Sequence, residues 1–315
     1  MSVLSPLVSV CIPLYNAEDF IQETLSNLLR QSYRNVEIII VDDHSSDNSV
    51  KIVKSFKDDR IKLYSNPEKG GNAARNYAFR QSQGELIKFM DADDLCSENL
   101  IEKQVEKYLK EGSKHTLIFS PVKKYFNNGR EEDLLRTIDI DYMPGIELVI
   151  GIWAGKGFNC PHCYLMSRSL IEKTGGWDQN ILRNQDGYYF ARVANYADKA
   201  LIVKDGYALW RQTFKGVSSS KNKSSVLSHF KTLIFIAELI LNYKFDKSTV
   251  QICGQYIGSF VFTQYINIKD ELMLLQPLKD KYGFCIIYPN RKKYRILKFF
   301  LGKGKALEII SKGYQ

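Results

Sequence analysis

Short apolar runs alternate with amphipathic helical stretches from Leu7 to Asp94, and each run ends in polar residues. Leu7 to Leu14 reads as a buried strand with Pro13 near its end. Ala17-Glu18-Asp19 opens a helix in which Phe20, Ile21, Leu25, Leu28 and Leu29 recur at helical spacing. Val36 to Val41 is a second strand and ends in Asp42-Asp43. Ser45-Ser46-Asp47-Asn48 then supplies turn and N-cap chemistry for a helix carrying Val50, Val53 and Phe56. A third strand, Ile61 to Tyr64, leads through a loop from Asn66 to Asn72 into a helix over Ala73 to Gln83. Leu86 to Met90 is the fourth strand. Such alternation predicts a mostly parallel sheet covered by helices on both faces. Ligands in such sheets bind beyond the carboxyl ends of the strands, where Tyr15, Asp42, Asp43 and Asp91-Ala92-Asp93-Asp94 all fall.

That last cluster carries the chemistry. Three carboxylates packed so closely repel one another unless a cation sits among them. A hard divalent cation shared with a phosphate-bearing ligand suits them, since Mg²⁺ typically takes one or two carboxylates plus substrate phosphates. The plainer alternative is a polar turn that ends the strand.

The 315-residue chain is long enough for one large domain and an appendage. With 44% hydrophobic and 25% charged residues its composition is that of a globular protein. The net charge of +9 is unevenly placed: residues 225–315 hold 14 Lys/Arg against 6 Asp/Glu, leaving 30 against 29 elsewhere. The six scattered cysteines predict reduced core thiols in a cytoplasmic protein, and Met1 to Pro6 shows no secretory signal. Cys160-Pro161-His162-Cys163 resembles half of a zinc site, but no second pair lies at a matching spacing.

Four stretches together resemble the family 2 glycosyltransferases of the GT-A fold. They are Val8-Ser9-Val10-Cys11-Ile12-Pro13-Leu14-Tyr15-Asn16, Val41-Asp42-Asp43-His44-Ser45-Ser46-Asp47, Gly71-Asn72-Ala73-Ala74-Arg75-Asn76, and Gly84 through Asp94. The resemblance covers roughly residues 7–218 and implies a Rossmann-like, mostly parallel sheet flanked by helices. It implies a catalytic domain over 1–220, with a nucleotide-sugar part to about residue 95 and an acceptor part beyond, followed by a helical, basic region over 221–315.

The resemblance also implies roles. Pro13 and Tyr15 would border the nucleotide base, Asp43 would hold base or ribose, and Arg75 would approach the nucleotide. Asp91-Ala92-Asp93 would be the Asp-X-Asp element, with Asp93 as direct ligand of Mn²⁺ or Mg²⁺ and Asp91 near ribose and metal. Gly175-Gly176-Trp177-Asp178 is similar to the family's Gly-Gly-Phe-Asp turn, making Trp177 a candidate platform for the acceptor sugar. Asn184-Gln185-Asp186 stands where the family has Glu-Asp before a helix. Asp186 would be the general base that takes the acceptor hydroxyl's proton, and Gln185 departs from the pattern. Trp210-Arg211-Gln212-Thr213 through Gly216-Val217-Ser218 resembles the loop that closes over the diphosphate. Arg211 would pair with phosphate there, and Thr213 replaces the usual His.

The implied activity is inverting transfer of a hexosyl or N-acetylhexosaminyl group from a nucleotide-sugar, UDP-linked by expectation, to a glycan or lipid-linked acceptor in surface-polysaccharide synthesis. A catalytically silent carbohydrate-binding or scaffold protein is the alternative from another class. A nucleotidyltransferase would want a glycine-rich phosphate loop after the first strand, which Pro13-Leu14-Tyr15-Asn16 does not offer. No nucleic-acid partner is expected.

Beyond a polar link over Ser218 to Ser225, His229 to Tyr243 reads as an apolar helix. Ser248 to Ile268 is too polar for a good membrane span and reads as a buried helix or helical pair. Residues 291–301 mix basic and apolar side chains. They suit peripheral contact with an anionic membrane at its inner face, or equally a solvated helix packed on its own domain by Ile296, Phe299 and Phe300.

Overall fold

The computed structural model describes residues 5–136, 138–213 and 222–314. The chain divides into two compact units, one of residues up to 179 with 192–213, the other of 180–191 with the residues beyond 213.

In the first unit β1 (Val8–Leu14), β2 (Val36–Asp42), β3 (Ile61–Ser65) and β4 (Leu86–Phe89) alternate with α1 (Ile21–Leu29), α2 (Ser49–Ser55) and α3 (Gly71–Gln81). After them come β5 (Leu95–Cys96), α4 (Leu100–Glu111), β6 (Thr116–Phe119), β7 (Val122–Tyr125), β8 (Glu131–Asp133), α5 (Ile146–Trp153), β9 (Leu165–Ser167), α6 (Arg168–Thr174), β10 (Lys199–Ile202) and β11 (Ala208–Arg211), while α7 (Gln185–Tyr196) has its residues up to 191 in the second unit and the rest in the first. The main sheet has seven strands in the order β10-β6-β9-β4-β1-β2-β3. It is the expected mostly parallel α/β sheet, with one departure: β9 runs antiparallel between β4 and β6. Val8, Val10, Cys11, Ile12 and Leu14 of β1 are fully buried, as a central parallel strand requires. Each fully buried aliphatic side chain of this kind contributes about 1.5–3 kcal/mol of transfer free energy.

Register carries the site. Leu14 lies opposite Asp42 and Asp42 opposite Ser65, so the loops after β1, β2 and β3 leave from one rim. Beyond the last β1–β4 pair, Cys11 with Phe89, Met90 N–H still donates to the Cys11 carbonyl at 3.1 Å, which delivers Asp91 to the same rim. A second sheet of four strands, β5-β11-β7-β8, was not anticipated. It changes the reading of Trp210-Arg211, which end strand β11 rather than forming a loop. Gly216-Val217-Ser218 and the first part of the expected polar link lie outside the described residues, and from Lys223 the chain is helical.

The second unit contains α8 (Lys223–Tyr243), α9 (Lys247–Ile268), a 3-10 segment (Lys269–Leu275), α10 (Gln276–Tyr282) and α11 (Lys292–Lys312). Asp246 caps α9 in a capping box: its carboxylate accepts from Thr249 N–H at 2.8 Å, and Thr249 Oγ1 accepts from Asp246 N–H at 3.2 Å. Among the described residues α8 alone is long and apolar enough to cross a membrane by length and composition, and 56% of that stretch is buried in the structure. Cys11, Cys96, Cys160, Cys163 and Cys253 are free and buried, whereas Cys285 is exposed.

Candidate active site

The rim is tied together by short polar side chains from neighbouring strand exits. Asn16 follows β1 in a left-handed conformation (φ 45°), and its Oδ1 accepts from Ser46 N–H at 2.8 Å. His44 follows Asp43 with φ 64°. Side chains adopt such φ values only when their surroundings hold them there. Tyr15 is 60% exposed on this rim, and Pro13 behind it is half-buried.

Asp43 is buried. Its Oδ1 accepts from Asn66 Nδ2 and from Gly70 N–H, both at 2.8 Å, and Gly70 N–H also lies 3.0 Å from Oδ2. Gly70 takes φ 114°, open to glycine and strained for any side chain. Asp43 thus anchors the loop that launches α3.

The carboxylate cluster follows β4, and two of its members have partners. Asp91 accepts from Arg75 Nη2 at 2.7 Å. Arg75 is buried, and its guanidinium lies 4.8 Å from the centre of the Trp177 ring. Trp177 is only 3% exposed and packs edge-on to Phe89. Asn76 holds its backbone at both ends, accepting from Trp177 N–H at 2.7 Å and donating to the Trp177 carbonyl at 2.8 Å. The indole of Trp177 therefore backs Arg75 instead of presenting an open stacking face.

Asp94 is also buried. Its Oδ1 accepts from Arg211 N–H at 2.8 Å, and its Oδ2 lies 3.1 Å from His162 Nδ1. Thr24 Oγ1 donates to the carbonyls of Ala92 and Asp94 at 2.9 and 3.1 Å, fixing the turn from α1. Arg211, expected at the diphosphate, points into this scaffold. Its Nε donates to the Asp93 carbonyl at 2.5 Å, Nη2 donates to Glu23 at 2.7 Å, and its plane lies over the rings of Tyr125 and Phe20. Burial opposes ionisation of Glu23, yet Tyr125 and Arg211 hold its carboxyl below the usual range.

Asp93 has no ion-pair partner among the described residues. Burial first, then the charges of Asp94 and Asp91, push its carboxyl up to about 7. No three His, Cys, Asp or Glu side chains among the described residues form a complete metal cage. The donor set nevertheless fits a hard dication: one carboxylate short of positive charge, a second beside it, and the remaining positions open to phosphate and water.

Beneath the cluster lies a buried polar layer that sequence reasoning missed. His162, fully buried on the 3-10 turn Pro161–Cys163, meets Asp94 on one side and Cys160 Sγ, 3.6 Å from Nε2, on the other. Burial alone would lower the imidazole's pKa, but the Asp94 charge more than offsets it and the net shift is upward. Lys88 of β4 is also fully buried. Its Nζ donates to Gln104 Oε1 at 3.0 Å and to the Tyr164 carbonyl at 3.3 Å, and burial pushes its pKa down. The sequence signal was there in Cys-Pro-His-Cys, but it pointed to a metal pair, and the partner of His162 proves to be an aspartate 68 positions earlier in the chain.

In the second unit Asp186 stands in the first turn of α7, where unpaired backbone N–H groups favour a carboxylate. Asn184 precedes the helix with φ 61°, and its Nδ2 donates to Thr232 Oγ1 at 2.7 Å. Gln185 Nε2 donates to the Ile181 carbonyl at 3.0 Å. A glutamate there has no proton to give, so the departure from the family pair has a local reason.

The structure is thus an α/β protein with a mostly parallel sheet whose strand-end rim closes on an Asp-Ala-Asp-Asp turn. Residues 9–175 match the signature described as Glycosyl transferase family 2, and the chain belongs to that family. Among curated relatives, the E. coli UDP-Glc:alpha-D-GlcNAc-diphosphoundecaprenol beta-1,3-glucosyltransferase WfgD is 44% identical over 105 residues, covering 33% of this chain and 42% of WfgD. A glycosyltransferase of Haemophilus influenzae is 41% identical over 103 residues, 32% of this chain and 41% of its own. The chain thus spans about two-fifths of the length of these relatives. A Rickettsia typhi glycosyltransferase is 26% identical over 308 residues, 91% of this chain and 92% of its own. The crystal structure of S. aureus TarS residues 1–349 in complex with UDP-GlcNAc superposes with a TM-score of 0.69 at 19% identity, covering 98% of this chain and 91% of that one, a likeness of fold.

Proposed function

We propose that the protein is an inverting glycosyltransferase that moves a sugar from a UDP-sugar to a glycan or lipid-linked acceptor in surface-polysaccharide synthesis. The observation that carries this reading is the setting of Asp93: Asp91 pairs with Arg75, and Asp94 meets His162 and the Arg211 N–H, while Asp93 has no ion-pair partner among the described residues and is crowded by both neighbours at the strand-end rim. Donor identity draws support from WfgD, named for UDP-Glc, and from the TarS complex with UDP-GlcNAc. A lipid-linked acceptor draws support from the diphosphoundecaprenol in WfgD's name.

In this mechanism Tyr15 and Pro13 border the base, and Asp43 sets the loop before α3 against which base or ribose rests. Asp93, with Asp91, would hold Mn²⁺ or Mg²⁺. When bound, the cation neutralises charge growing on the departing diphosphate. Arg75, oriented by Asn72, Asp91 and Trp177, adds a fixed positive charge at that rim. Asp186 takes the proton of the acceptor hydroxyl as it attacks the anomeric carbon, so one displacement inverts the configuration. Trp177 and Arg211 serve here by holding Arg75 and the Asp turn.

Calorimetry of UDP binding with and without Mn²⁺ tests the reading. The wild-type protein should bind UDP far more tightly with the metal, and Asp93→Asn should lose that gain. Metal-dependent affinity unchanged in the variant sinks the assignment. Failure to release or transfer sugar from any UDP-sugar, with binding intact, favours the silent scaffold.

A further inference from the structure

The first half of α11 leaves one face uncovered. Gly302 breaks this helix with φ 76° and ψ 168°, a backbone conformation that side chains rarely adopt. After the break, Ala306, Leu307 and Ile310 are buried in a cluster with Phe262 of α9. Before it, Tyr294 and, in part, Leu297 are the residues that turn toward that cluster. Ile296, Phe299 and Phe300 therefore do not pack the helix onto its own unit. At about 100° per residue, the side opposite Tyr294 and Leu297 carries Lys292, Arg295, Ile296, Phe299 and Phe300. Phe299 is 84% exposed and Phe300 73%, their rings in edge contact at 5.1 Å. Ile296 on the same side is about half exposed.

Single exposed apolar residues are ordinary, but a contiguous aromatic patch marks an interaction surface. The charge around it selects the partner. Residues 291–305 contain seven Lys/Arg and no Asp/Glu. Arg291 is tied to Tyr314, and Lys303 lies over the Tyr288 ring. Lys292, Lys293, Arg295 and Lys298 are all exposed around the aromatic pair. A second copy of the chain meeting this patch about a two-fold axis would set basic surface against the same basic surface. The apolar stretch Ile296 to Leu301 contains Lys298 and is far too short to span a bilayer.

We propose that residues 292–301 form a reversible docking surface for an anionic membrane. Phe299 and Phe300, with Ile296 beside them, enter the headgroup–acyl boundary, while Lys292, Lys293, Arg295 and Lys298 reach lipid phosphates through their flexible stems. The inference rests on this surface alone and holds whatever the reaction is.

Co-sedimentation of the full chain with vesicles tests it, using phosphatidylcholine alone and phosphatidylcholine with phosphatidylglycerol. The protein should bind the anionic vesicles at low salt, release at high salt as the charges are screened, and ignore the neutral ones. Each basic residue is worth about five-fold in partitioning, so the quadruple change Lys292→Gln, Lys293→Gln, Arg295→Gln and Lys298→Gln should weaken binding by about 10² or more. Phe299→Ser with Phe300→Ser should weaken it at least about ten-fold. All six side chains are exposed, so both variants should melt with the wild type. Phe299→Trp should shift its emission to the blue on anionic vesicles and be quenched by brominated lipid. Wild-type binding that is absent at low salt, insensitive to anionic lipid, or unchanged in both variants overturns the proposal. So does lipid-free self-association in sedimentation velocity that the double Phe variant abolishes, which assigns the patch to a second copy.

Discussion

Replacing Asp93 by asparagine should make the metal-free protein more stable while destroying its metal-dependent ligand binding. In the folded chain the Asp93 carboxyl rises from 3.8 to about 7, through burial and then the charges of Asp94 and Asp91. The folded state therefore holds this proton more tightly than the unfolded chain does. Stability falls as pH climbs from about 4 to about 7, and the deficit is fully present above that window. At about 1.4 kcal/mol per unit, the shift sets a ceiling of about 4 kcal/mol. Water over a half-buried carboxylate screens the repulsion and brings the expected deficit to about 1–2 kcal/mol. The substituted amide has no charge to desolvate, so at pH 8 in EDTA the variant should melt roughly 3–6 °C above the wild type, taking about 2–4 °C per kcal/mol. Toward pH 3, below the carboxyl's ordinary value of 3.8, the two should melt together, because Asp93 is then protonated in the folded and the unfolded chain alike. Adding Mn²⁺ with UDP should reverse the order at pH 8 by stabilising the wild type alone. Scanning calorimetry across pH is the assay. A variant less stable than wild type at pH 8, or a difference that does not change with pH, refutes the like-charge argument.

Asp186→Asn should bind UDP normally and lose transfer by ~10² or more, and near-normal turnover at neutral pH excludes the base role. His162→Ala leaves the buried Asp94 carboxylate with the Arg211 N–H but no cationic partner and should cost about 3 kcal/mol in denaturant unfolding; a loss below about 1 kcal/mol removes this pair from the account of the Asp turn. Because the pKa of His162 is raised in the fold, its contribution should be full below the ordinary imidazole range and disappear as pH rises through the folded value. Gln185→Glu restores the family's residue but sets a carboxylate against the Ile181 carbonyl. It should lower stability by about 1 kcal/mol and leave UDP affinity unchanged, whereas a gain in stability discards the hydrogen-bond explanation.

The strand–helix alternation and the residues at the strand ends were legible in the sequence because their signals are local. A buried parallel strand is a continuous apolar run, a helix repeats its apolar side every three or four residues, and aspartate at a strand exit carries its chemistry wherever the strand goes. Tyr15, Asp43, Asp91 and Asp93 could be placed at one rim on that basis, and register in the structure brings those strand ends level. Direction and pairing across long separations have no such local signal. Tyr164-Leu165-Met166 announces a strand but not that β9 runs antiparallel between β4 and β6. Arg211 looks the same in sequence whether it reaches a phosphate or Glu23, and β11 joining a second sheet turns it inward. His162 and Asp94 acquire their meaning from each other only once the Pro161–Cys163 turn passes beneath β4's exit. In the same way, periodicity shows that the first half of α11 is helical, but which side stays uncovered was decided by Phe262 of α9, which takes Tyr294 into its cluster and leaves Phe299 and Phe300 facing solvent.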